Sequence, residues 1–134
     1  MTDAQHAHWL AYLRDLADRL GLKDWDIRLE RGEPQNGNAL GSNHLQYGQR
    51  RCYIYLSSDL FAEKPEDHRW VCVHELLHCH FDPLDDAMDD VADRLADDKA
   101  TELARAVYKR QREHTLDHIA TAIALYLPLP EKMP

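Results

Sequence analysis

The run His74-Glu75-Leu76-Leu77-His78 holds the residue types and spacing for hydrolytic chemistry. Side chains four apart in a helix lie on one face, so the two imidazoles can share one zinc ion. The Glu75 carboxylate beside them can then reach a metal-bound water. With nine His, such a pentapeptide arises by chance in roughly one chain in thirty, so its surroundings must carry the argument.

Those surroundings are helical and apolar. Pro65 suits a first helical position, and Glu66 and Asp67 favour the positive end of the helix dipole. From Trp70 to Phe81 nearly everything except the His and Glu residues is apolar, including Val71, Cys72, Val73, Leu76, Leu77 and Cys79. Such a helix is buried, and burying two imidazoles and a carboxylate is costly unless they are paired or hold a metal. At about 100° per residue, His74 and His78 stand about 40° apart, with Glu75 beyond them on the His78 side. His80 falls about 140° from that pair, which predicts a packed or partner-bonded histidine. A Cys-ligated zinc is the lesser reading, since Cys72 and Cys79 stand about 120–140° from the middle of that pair.

A catalytic zinc keeps three protein ligands and one open position. Downstream, Glu113 and Asp117 share a helical face, so one can bind metal while the other orients a liganding His. His114 and His118 form the competing pair. Leu116, Ile119, Ala120, Ile123 and Leu127 form one apolar arc, with Glu113 and Asp117 at its edge and both His nearly opposite. This favours Glu113 as third ligand, with His118 as the alternative.

At His74-Glu75-Leu76-Leu77-His78 and Glu113-His114-Thr115-Leu116-Asp117 the chain resembles the HExxH zinc metallopeptidases (zincins). Within them it is similar to the glutamate-ligand, gluzincin-like group, in which ExxxD follows HExxH. The short length and order of elements are similar to small phage- and prophage-type metallopeptidases. The resemblance implies Zn2+ bound by His74, His78 and Glu113, Glu75 as general base, and Asp117 hydrogen-bonded to a liganding His. It further implies a peptide or protein substrate whose backbone adds to an edge strand beside the site. Ala39 to His44 is the candidate, an ordinary edge strand being the other reading.

Elements that could position these residues follow in order. Thr2-Asp3-Ala4-Gln5 can cap a helix to about Leu20, with Leu10, Leu13, Leu16, Ala17 and Leu20 inward and Gly21 ending it. Trp25 to Glu30 alternates as a half-buried strand, and Arg31 to Asn38 is loop. Ala39 to Tyr47 is a weaker strand, and Tyr47-Gly48-Gln49 turns into Arg51 to Ser57, the strongest strand. The expected fold class is α+β: an N-terminal helix, a small three-stranded antiparallel sheet, the buried motif helix and C-terminal helices. Residues 1–134 are expected to form one domain with one core.

Composition narrows the function. A formal net charge of −8 opposes a nucleic-acid partner. No basic-then-apolar N-terminal run reads as a secretory signal, and no stretch approaches membrane-spanning length. Three Cys, two flanking the motif, read as reduced small hydrophobes. A cytoplasmic location without membrane contact is expected.

The segment Asp82 to Asp98 holds eight Asp, with Asp85, Asp89, Asp93 and Asp97 at i,i+4 spacing. It reads as a solvated helix face, or more sharply as a docking surface for a basic partner or a weak divalent-ion site. Lys109-Arg110-Gln111-Arg112 reads as a solvated helical turn. The expected activity is hydrolysis of a peptide bond by a metal-activated water. Oxyanion donors are open among His44, Tyr47, Tyr53, Tyr55, Tyr108, His114 and Tyr126. Three other readings stand beside it. One is a non-catalytic zinc-binding regulatory or interaction module with Glu75 idle. Another is a different zinc-dependent hydrolase, such as a ribonuclease. The last is a metal-free interaction protein, which leaves the buried His and Glu unexplained.

Overall fold

A computed structural model describes residues 1–46, 48–95 and 98–132. In chain order these form helix α1 (Asp3–Arg19), strands β1 (Asp26–Glu30), β2 (Gly41–Gln46) and β3 (Arg51–Leu56), and helices α2 (Pro65–Arg94) and α3 (Lys99–Ile123). Short 3-10 turns cover Ser58–Ala62 and Ala124–Tyr126. The class is α+β, as the residue pattern predicts.

Helix α1 begins where the sequence asks. The Thr2 hydroxyl accepts from the Gln5 amide at 3.2 Å, and the Gln5 side chain accepts from the Thr2 amide at 2.8 Å. This reciprocal capping box satisfies two otherwise free donors. Gly21, with φ +78°, supplies the left-handed turn that ends the helix. Trp9, Leu13, Leu16 and Ala17 form its buried face.

The sheet corrects one expectation, since it is mixed rather than antiparallel. Its order is β1-β3-β2, with β1 parallel to β3 and β2 antiparallel to β3. Strand β3 buries Cys52, Ile54 and Leu56 at alternate positions, so it is the strand that gains most from the centre. Residues 31–40 easily span the two strand spacings, about 10 Å, that separate β1 from β2. The turn after β2 then folds β3 back into the gap. The least apolar strand, β2, is left on the edge.

Helix α2 is longer than the motif segment alone suggests. It starts with Pro65 in the first turn and runs for 30 residues through Pro83 into the acidic stretch. Cys72, Val73, Leu76 and Cys79 are buried in the same core as α1, β1 and β3. On the opposite side His80 is exposed, and its Nε2 lies 2.9 Å from the Leu20 carbonyl oxygen. This matches the partner-bonded histidine predicted from the wheel. Asp98 caps α3 by accepting from the Thr101 amide at 3.0 Å, and Leu116 and Ala120 are fully buried in the core. The parts of the sequence reading that rest on Tyr47 and Asp97 lie outside the described residues. Among the described residues, no helix is long and apolar enough to cross a membrane.

Candidate metal centre

The two imidazoles come from the buried middle of α2 and the third donor from α3. His74, His78 and Glu113 each offer a ligand atom, and these atoms all lie within 4.8 Å of one another. Oε2 of Glu113 is 3.5 Å from Nε2 of His74 and 3.7 Å from Nε2 of His78. The imidazoles are 12% and 8% exposed but Glu113 is 38% exposed, so the cluster is enclosed on the α2 side and open at its mouth. Such a cluster can hold a metal ion.

The other ring nitrogen of His74 is buried, and Oδ1 of Asp117 lies 3.1 Å from it, though off the line of a good hydrogen bond. A carboxylate at that nitrogen favours the Nδ1–H tautomer, which leaves Nε2 free. His114 and His118 are exposed and outside the cluster, because α3 turns its Leu116 and Ala120 arc toward the core. Glu113, the residue bordering that arc, sits where His118 would have to be.

Glu75 is 6% exposed and lies beneath edge strand β2. Gly41, Asn43 and Leu45 pair with Leu56, Ile54 and Cys52, so their side chains share the core face of the sheet. Asn43 Nδ2 donates to Oε2 of Glu75 at 2.6 Å. A Cβ at Gly41 would stand 2.7 Å from Val71 Cγ1 and 3.1 Å from Oε1 of Glu75, so only glycine lets β2 approach α2 this closely. Burial raises the pKa of Glu75, opposed by the Asn43 bond and the charge of His74. Helical and strand periodicity do not mark Asn43 as a site residue. The available signal was an inward polar residue on an alternating strand.

A cleft of about 840 Å³ runs between β2 and the α2–α3 pair. It is lined by residues 39–45, by His74, Glu75, His78, Glu113 and Asp117, and by Asp82, Asp85, Asp86 and Asp89. The acidic stretch is therefore not wholly a solvated face, since part of it walls the cleft. Of the oxyanion candidates, His44 alone among the described residues lines this cleft, and its exposed ring lies beside Tyr53 on the outer face of the sheet. Tyr53 pairs with His44 and alternates with the buried Cys52 and Ile54, so it lies on the outer face of the sheet with Tyr55. Tyr126 is 88% exposed, and the Tyr108 hydroxyl is bonded to Asp85. The basic run corrects a further expectation. Lys109 and Arg110 are solvated, but Arg112 turns inward, because it lies only about 40° from Leu116 on the wheel.

The cluster's proton affinities set how it would load. Burial works to lower the pKa of His74, but the Glu113 contact and the charges of Glu75, Asp117 and Glu113 outweigh it and raise the value. Burial takes His78 the other way, to about 4. Glu113 falls to about 2, held down by His74 and Arg112 against burial. Below the raised His74 pKa a metal must displace that proton, whereas above about 4 it meets His78 already neutral. Affinity is expected to fall about tenfold per pH unit as pH drops below the raised His74 pKa. The slope doubles only below about 4, where His78 also protonates. Chelator-competition titrations between pH 4 and 8 check this; a two-proton slope already at pH 6 contradicts it.

No match to this chain is found among protein families, curated proteins or solved structures.

Proposed function

We propose that this protein is a zinc-dependent metallopeptidase of the glutamate-ligand type, similar to the small phage-type enzymes. The observation that carries the reading is the His74–His78–Glu113 cluster opening into a cleft alongside a buried Glu75. Two imidazoles and a carboxylate form a donor set used by catalytic zinc. Donor atoms 2.0–2.1 Å from a tetrahedral ion stand about 3.3 Å apart, close to the 3.5 and 3.7 Å that separate Glu113 from the two imidazoles.

A bound zinc ion would polarise the scissile carbonyl and lower the pKa of a coordinated water toward ~7. Glu75 takes the proton from the attacking water and delivers it to the leaving amine. Its raised pKa suits a group that must both accept and release a proton. Asn43 orients the carboxylate through Oε2, and Asp117 orients the His74 ring. β2 is an edge strand whose residues line the cleft, so it can take an extended peptide backbone as an added strand. The net charge of −8 and the carboxylates of the cleft repel nucleic-acid phosphate and admit a peptide or protein. Cys52, Cys72 and Cys79 are buried and free, which fits a reducing, cytoplasmic compartment.

One observation favours a second reading. Glu75 is buried and clasped by Asn43, as a carboxylate with only a structural role would be in a regulatory zinc-binding module. Zinc-reconstituted protein incubated with a library of unstructured peptides separates the two. The peptidase reading expects one zinc per chain and new peptide termini, lost with a chelator and restored by zinc. Stoichiometric zinc with every peptide intact supports the module and overturns the peptidase.

A further inference from the structure

Arg112 is 17% exposed and makes contacts in two directions. Its Nε and Nη2 donate to Oε1 of Glu113 at 3.2 and 2.8 Å. Its Nη1 donates to Oδ2 of Asp85 at 2.7 Å. The other oxygen of Asp85 accepts from the Tyr108 hydroxyl at 2.7 Å. One oxygen of Glu113 is thereby occupied, and the other is the one that faces His74 and His78.

We propose that Arg112, braced by Asp85 and Tyr108, is a positioning residue that presents a single oxygen of Glu113 to the metal. The inference rests on the metal-binding reading of the cluster. A free carboxylate can bind through one oxygen or both, and a second oxygen would fill the position a catalytic site keeps open. A planar guanidinium holding Oε1 through two N–H groups prevents that rotation. Asp85 follows His78 by seven residues, two turns along α2, so brace and imidazoles share one helix face. Arg112 thus ties the ligand from α3 to the helix that carries the other two. The Asp85 charge also offsets the guanidinium charge, which alone would repel a cation. On this account the acidic segment serves the centre through Asp85.

The test is Zn2+ and Co2+ titration of Arg112→Lys and Asp85→Asn beside the wild type, with thermal unfolding of each metal-free protein as a fold control. Arg112→Lys keeps the charge and loses the fork, which separates positioning from electrostatics. Its metal affinity is expected to fall roughly 10–100-fold, as for other groups that orient a ligand. The visible absorption of its Co2+ form is expected to weaken as the second Glu113 oxygen raises the coordination number. Asp85→Asn is expected to move both readouts the same way, and it carries the test if Arg112→Lys does not fold. Variants that fold, bind as tightly as wild type and keep its Co2+ spectrum overturn this inference alone. A wild type that takes up neither ion overturns the metal reading and this inference with it.

Discussion

Glu113→Ala protein is expected to lose metal by more than ~100-fold in affinity, beyond the range for groups that only orient a ligand. His78→Ala should be at least as severe. Each substitution removes one of three donors that lie within 4.8 Å of one another, and two donors leave an ion largely to solvent. Asp117→Ala removes only the carboxylate beside Nδ1 of His74 and should cost roughly 10–100-fold. His118→Ala should change nothing, since that ring is exposed and outside the cluster. Elemental analysis after purification and competition titration with a chromophoric chelator measure all four. Metal retained by Glu113→Ala and stripped by His118→Ala would turn the centre into a three-histidine site and remove the glutamate-ligand assignment.

Glu75→Gln is expected to keep metal and fold while lowering peptide hydrolysis by about 10²–10⁴-fold, the range for loss of a positioned general base. The amide is nearly isosteric and stays under β2 beside Asn43, but it cannot take a proton. The loss should therefore fall on kcat with little change in KM. Steady-state kinetics with the best peptide from the library measure it, alongside zinc content. Hydrolysis at the wild-type rate would show that Glu75 is not the base and would leave it the structural part that its bond to Asn43 allows.

Several features of the centre are legible in consecutive residues. Helical period alone puts His74 and His78 on one face, sends His80 to the other, and separates Glu113 and Asp117 from His114 and His118 about the Leu116 arc. The Thr2 capping box, the Gly21 stop and the alternation of β3 are legible for the same reason, because each depends on neighbours within a few positions. Apart from Glu113, the choice of distant partners required the tertiary structure. The pattern of β1, β2 and β3 does not say which strand takes the centre. Burial of Cys52, Ile54 and Leu56, together with a connection long enough to skip a strand, makes the sheet mixed. Asn43 meets Glu75 only because Gly41 lets β2 approach α2 closely. Asp85 and Arg112 are 27 residues apart on two helices, and their charges read as solvated until helix packing sets them 2.7 Å apart. Periodicity determines which face a residue occupies, whereas the packing of whole elements decides what that face meets.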